Sequence, residues 1–200
     1  MDVLSARTVN MSLKNNAKIL VIYSSPKKEG NTKKLLDAFL AECPNSAQIK
    51  TYSAFELNAK PCIDCGFCKQ NNSCKFDDLN EFYLDFEQAD LIVFATPVYN
   101  YSFPSPLKAI FDRFQRYFNA RFERDEKPPI KKRRQAVILA TCGSDDESGF
   151  DIIEYQCKRA FTVLNIELVG KVTAKNIDKN DILVSDIDNS KQLAISIFNK

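Results

Sequence analysis

The 200-residue sequence predicts one α/β domain, a three-layer doubly wound sandwich around a five-stranded parallel sheet. Three features lead there. Short apolar, β-branched runs alternate with segments whose apolar residues recur at helical spacing. One run, ADLIVFATP at 89–97, is almost uninterrupted, as a strand buried on both faces of a parallel sheet must be. No internal repeat, low-complexity block or linker divides the chain, and right-handed crossovers then place helices on both sides of the sheet.

KILVIYSS, 18–25, reads as the first strand, and KKLLDAFLAEC, 33–43, as the first helix, with Leu35, Leu36, Phe39 and Leu40 on one face. Pro44 and Asn45 end that helix, and AQIKTYSAF, 47–55, alternates as a second strand. A cysteine-rich loop, 60–76, precedes the helix DDLNEFYLDFEQ, 77–88, where Asp78 and Glu81 have capping-box spacing. After the strand at 89–97, SPLKAIFDRFQRYF, 105–118, is expected to form one helix with Ser105 as N-cap and Pro106 at its first position. RQAVILATCG, 134–143, gives a fourth strand, GFDIIEYQCKRAFTVL, 149–164, a helix, IELVGKVTA, 166–174, a fifth strand, and 188–199 a last helix. The domain is expected over 18–200, behind a loose N-terminal tail, 1–17, in which Met11 is a candidate start.

Hydrophobic residues at 44% and charged residues at 27% are ordinary globular values. No run approaches the ~18 apolar residues of a membrane span, and the first residues lack the apolar core of a secretory signal. Seven cysteines, an odd number without an export signal, argue for a reducing compartment, so a cytoplasmic protein without disulfides is expected. A net charge of +2 with interspersed signs gives no reason to expect a nucleic-acid or membrane partner. The exception, KPPIKKRR at 127–134, is either a solvated loop before a strand or a contact for a phosphorylated cosubstrate. The absence of histidine excludes every Ser-His or Cys-His nucleophile pair and every His-ligated zinc hydrolase site.

Ligands of doubly wound sheets sit beyond the carboxyl ends of the strands. There the first strand offers SSPKKEGNT, 24–32, neither a GxGxxG nor a GxxxxGK[ST] loop. Its hydroxyls and the free N–H groups of the following helix suit either a phosphate grip or a capped turn. The third strand leads into TPVYNYSFPSPLKAIFDR, 96–113, whose loop aromatics are costly to expose unless they cover something flat or a partner. The fourth leads into the small, polar TCGSDD, 141–146.

In this order and spacing, SSPKKEGNT, PVYNYSFPSPLKAIFDR and TCGS resemble the flavodoxin-like NAD(P)H-dependent FMN reductases over nearly the whole chain from Lys18. The resemblance implies strand order 2-1-3-4-5, bound FMN and NAD(P)H as cosubstrate. It implies an FMN phosphate on Ser25, Lys27, Asn31 and Thr32, and an isoalloxazine bordered by Pro97, Val98, Tyr99 and Asn100 and flanked by Thr141, Cys142 and Gly143. It also implies a homodimer or homotetramer, and the phenylalanine-rich stretch 105–122 is a candidate contact surface. Hydride transfer to a flavin needs orientation rather than a side-chain base, which accommodates the missing histidine. The alternatives are a cluster-free FMN or quinone reductase and a non-enzymatic carrier, although a flavodoxin-type carrier would be expected to be strongly acidic.

Cys62, Cys65, Cys68 and Cys74 follow C-x2-C-x2-C-x5-C, spans too short for two unstrained disulfides but suited to convergence on one centre. Four thiolates serve a [4Fe–4S] cluster or zinc, or remain free thiols; the tight triplet is closer to an iron–sulfur ligand run. Gly66 eases the tight backbone between the second and third thiols. The iron–sulfur flavoproteins, a branch of the same family, are similar in carrying a compact cysteine motif between the second strand and the next helix. With such a cluster, electrons would run from NAD(P)H through FMN to an acceptor the sequence does not name. Cys43 and Cys157 lie on apolar helical faces and read as core; the role of Cys142 stays open.

Overall fold

Successive side chains of a strand point to opposite faces, so a strand that is apolar throughout must be covered on both. The computed structural model, which describes residues 13–198, meets this demand with a parallel sheet of order β2-β1-β3-β4-β5. The strands are β1 (Lys18–Tyr23), β2 (Gln48–Ser53), β3 (Leu91–Pro97), β4 (Arg134–Thr141) and β5 (Ile166–Ala174). The helices are α1 (Asn31–Ala41), α2 (Ala54–Leu57), α3 (Phe67–Gln70), α4 (Asn80–Gln88), α5 (Ser105–Arg113), α6 (Gln115–Phe122), α7 (Ser148–Leu164) and α8 (Val184–Phe198). This is the expected doubly wound sandwich.

Every residue of β3 and β4 is buried, whereas β2, at the edge, exposes Gln48 to Thr51. Alternation divides the core into two layers. Ile19, Val21, Leu91, Val93, Val137 and Leu139 pack against α1 and α8. Leu20, Ile22, Ile92, Phe94 and Ile138 face α4, α5, α6 and α7, and Phe94 lies between the rings of Phe111 and Phe161 at 5.5 and 5.4 Å. Cys43 and Cys157 belong to these layers, and burial pushes the Cys43 thiol up to about 12 and the Cys157 thiol further.

Several boundaries differ from expectation. The helix expected over 105–118 is two helices, broken at Phe114, whose N–H bonds back to Phe111 in a tighter turn. Ser105 is the first residue of α5 rather than its cap, a place held by Pro104. The last helix begins at Val184, and the short α2 and α3 were not anticipated. Of the tail expected over 1–17, residues 1–12 lie outside the described residues; the Leu13 N–H donates to the Ile197 carbonyl at 3.3 Å and Ala17 is buried.

The basic run is only partly a solvated loop. Lys132 and Arg133 pair with Asp90 and Glu167, but Arg134 is 1% exposed. Its guanidinium donates to the carbonyls of Phe86 and Leu164 near the ends of α4 and α7 and lies 4.7 Å from the Phe86 ring centre. The negative ends of two helix dipoles and a ring face thus take the place of a carboxylate. Burial pushes its pKa down to about 10.

Asp78 does not cap α4 as its spacing with Glu81 suggested. Its carboxylate accepts the Lys60 N–H at 2.8 Å and meets Arg113 at 2.9 Å and 3.2 Å, because a guanidinium 2% exposed needs a counter-charge more than an exposed helix end needs a cap. Arg113 also donates to the carbonyls of Lys60 and Phe76, Arg116 to that of Asn72, and Arg124 to those of Cys68 and Asn71. Three arginines from α5, α6 and the turn beyond thereby pin the cysteine segment by its main chain. Burial alone would raise the Asp78 carboxyl, and the hydrogen bonds from Arg113 and Lys60 outweigh it, leaving it below the usual range.

Two stability outcomes follow from this packing. Phe94→Ala is expected to cost about 3–5 kcal/mol in urea unfolding. Asp78→Asn strands a buried cation and is expected to cost about 3–5 kcal/mol at neutral pH. Because the folded-state carboxyl lies below its unfolded value, its contribution is present above about pH 4 and fades as pH falls further. The gap between wild type and Asp78→Asn therefore narrows in urea titrations at acid pH; a constant gap would contradict the ion pair.

Candidate functional site

Parallel pairing brings the carboxyl ends of β1, β3 and β4 side by side, with Tyr23 opposite Ala95 and Pro97 opposite Thr141. Past β1, Ser24 donates through its N–H and its hydroxyl to the Ala95 carbonyl at 2.9 and 3.2 Å, and Ser25 accepts the Lys27 N–H at 3.3 Å. The Tyr23 hydroxyl donates to the Lys27 carbonyl at 2.6 Å, closing the loop over the strand end. No side chain caps α1 and no acidic residue occupies its first turn, so the leading N–H groups face a site of positive potential. Ser24, Ser25 and Thr32 beside them are buried, while the Lys27 side chain is exposed and Asn31 half-buried.

Thr32 and Thr141 bring the first and third of these loops into contact, hydroxyl to hydroxyl, at 2.7 Å. One of the two donates to the other, which leaves one proton directed elsewhere. Val98 continues the β3–β4 ladder through its N–H to the Thr141 carbonyl at 2.8 Å. Tyr99 and Ser102 then exchange both backbone bonds at 2.9 Å around Asn100 and Tyr101, whose φ angles of 49° and 60° make a left-handed two-residue hairpin.

A cavity of about 250 Å³ lies between that hairpin and the loop after β4, lined by Val98, Asn100, Tyr101, Cys142, Gly143 and Asp178 among others. The Tyr101 hydroxyl donates to Asp146 at 2.7 Å across its mouth. Hydrogen bonds from Ser148 and from Tyr101 hold the Asp146 carboxyl down to about 2. Gly143 lets the Asp178 carboxylate approach closely, since a Cβ would lie 2.0 Å from its Oδ2 and push that side chain aside. Cys142 is buried with its sulfur 3.4 Å from the Ser144 hydroxyl.

Cys62, Cys65, Cys68 and Cys74 all line a second cavity, together with Gly66, Arg113 and Arg116. Gly66, at φ 72°, turns the chain left-handed before α3 and so swings Cys68 back toward Cys62 and Cys65. All four are free thiols; Cys65 is exposed and the others are half-buried. The Asn119 amide donates to Cys68 Sγ at 3.1 Å. The space is about 20 Å³, room for one water, so a larger group would require the thiols to move outward. Among the described residues, no group of three or more histidine, cysteine or acidic side chains is drawn together as a metal-ion site.

The residues expected around the ring do not all share one place. Val98, Asn100, Cys142 and Gly143 line one cavity, and Thr141, bonded to Thr32, immediately precedes Cys142 in the chain. Pro97 is buried at the end of β3. Tyr99 faces a neighbouring cleft with Pro61, Phe103 and Lys108. Tyr101, Asp146 and Asp178 were missed: the first two lay inside quoted loops, whereas Asp178 follows β5 and reaches the cavity only because Ile177 and Asp178 bond back to Cys142 and Gly143.

Among the described residues no helix is long and apolar enough to cross a membrane. An iron-sulfur flavoprotein of Methanosarcina thermophila is 38% identical over 99 residues, covering 48% of this chain and 51% of that protein. The chain thus spans about half the length of that relative. An iron-sulfur flavoprotein of Archaeoglobus fulgidus is 26% identical over 184 residues, 90% of this chain and 78% of that protein. A solved NAD(P)H:quinone oxidoreductase from Methanothermobacter marburgensis superposes with a TM-score of 0.68 over 90% of this chain and 94% of its own, at 15% identity, a likeness of fold. The NADPH-dependent FMN reductase family model matches residues 17–176, which take in all five strands and both cavities' cysteines, and the chain belongs to that family.

Proposed function

We propose that the protein is a cytoplasmic oxidoreductase that binds FMN, takes electrons from NAD(P)H and passes them to an acceptor through a [4Fe–4S] cluster on Cys62, Cys65, Cys68 and Cys74. The observation that carries the reading is the capless α1 terminus with its buried hydroxyls, set against the cavity lined by Val98, Asn100 and Gly143. When bound, FMN supplies hydride exchange and the cluster single-electron transfer.

The chain's own part is binding and orientation. Ser25, Asn31, Thr32 and the leading N–H groups of α1 would hold the dianionic phosphate, with Lys27 at the loop's rim. Pro97 to Asn100 would border the ring, with Tyr99 toward the neighbouring cleft, and Thr141, Cys142 and Gly143 would flank it. The Tyr101–Asp146 bond ties the two loops together. Four thiols around one shared space, with arginines beside them, suit a polynuclear group in number and chemistry. Phe118 and Phe122, with tilted rings 4.5 Å apart and 45% and 56% exposed, are the surface we assign to self-association. The narrowness of the thiol cavity favours, as a second reading, a reductase of the same fold without a cluster.

Protein purified without oxygen distinguishes these readings. Flavin absorption bands with a broad, dithionite-bleached background and bound iron are expected; flavin bands alone support the second reading, and no flavin after reconstitution overturns both. Rapid mixing with NADH or NADPH should reduce the flavin, and a flavin that neither reduces would mark a carrier. Thr32→Val is expected to weaken FMN binding roughly tenfold in a fluorescence titration, the value of one hydrogen bond to a charged group. Cys65→Ser should remove the broad absorbance and the iron while FMN stays bound.

A further inference from the structure

Asn119 is 2% exposed, and a buried amide must place each of its polar groups. Its Oδ1 accepts from Gln115 Nε2 at 3.3 Å, one turn earlier on α6, and its Nδ2 donates to Cys68 Sγ at 3.1 Å. With Gln115 donating to its oxygen, the Asn119 amide presents N–H to the sulfur, the orientation that suits a charged sulfur; a neutral thiol would instead donate to the amide oxygen with both amides turned. Arg124 holds the Cys68 carbonyl, so the main chain that carries this sulfur is anchored as well. A neutral thiol is a weak acceptor. A buried donor aimed at one is well used only when that sulfur carries negative charge, as a metal-bound thiolate does.

We propose that Asn119, oriented by Gln115, is a positioning residue that donates to the metal-bound sulfur of Cys68 and sets the reduction potential of the cluster. The inference rests on the cluster reading above. A hydrogen bond to a ligating sulfur offsets the charge gained on reduction, so it favours the reduced state and raises the potential. Gln115 lines the same cavity, and its hydrogen bond goes to the Asn119 amide rather than to a sulfur.

The test compares anaerobically reconstituted, FMN-bound wild type with Asn119→Ala and Gln115→Leu. The readouts are iron content, cluster midpoint potential by a redox titration followed by electron paramagnetic resonance, and the rate of iron loss to a chelator. The expected result is a potential shifted negative in Asn119→Ala, a smaller shift of the same sign in Gln115→Leu, and iron loss roughly tenfold faster in Asn119→Ala. A merely structural amide would lower thermal stability and leave the potential in place, and that outcome overturns the proposal. If Asn119→Ala does not fold or load, an unshifted potential in Gln115→Leu overturns it instead. Absence of iron from the wild type fails the cluster reading and this inference together, whereas loaded proteins of equal potential fail this inference alone.

Discussion

Parallel, in-register pairing of β1, β3 and β4 is the constraint on which the site depends. It is continued beyond the strands by two backbone bonds, Ser24 to Ala95 and Val98 to Thr141, so the loops leave the sheet already held to their neighbours. Burial of β3 and β4 on both faces makes that edge rigid, because sliding one strand would expose apolar residues on both sides at once. The hydroxyl pair Thr32–Thr141 joins α1 to β4 across the same edge. Phosphate donors and ring-bordering loop are thus set by the sheet rather than by one another.

Two buried guanidiniums show opposite solutions to one problem. Arg113 is matched by a carboxylate, and the pair fastens the segment between Lys60 and Phe76 to the helical layer. Arg134 is hydrogen-bonded by no carboxylate among the described residues and relies on helix-end carbonyls and a ring. The first carries a pH-dependent contribution through Asp78. The second titrates only through its own proton, whose pKa burial lowers to about 10, because its hydrogen-bond partners do not titrate.

Local pattern made most of the fold legible. The apolar run at 89–97 announces β3 because burial on both faces leaves no polar position, and Leu35, Leu36 and Phe39 announce the buried face of α1. What escaped was decided across the chain. Asp78 has the spacing of a cap, yet a guanidinium 35 positions away claims it. The stripe through 105–118 continues across Phe114, so nothing periodic marks the break between α5 and α6. In the site, the phosphate loop, the hairpin and the cysteine spacing were legible as motifs. Asp178 and the Gln115–Asn119–Cys68 chain were not, since each depends on which elements the sheet sets side by side.

The arginines that fasten the cysteine segment grip carbonyl oxygens at positions 60, 68, 71, 72 and 76, atoms that every amino acid possesses. Gln70 and Ser73 are exposed on this fastened trace and lie outside the lining of the thiol cavity. Mutational drift at those two places can therefore alter the charge and shape a visiting partner meets, while the path of the chain stays inherited from the arginines and the turn at Gly66.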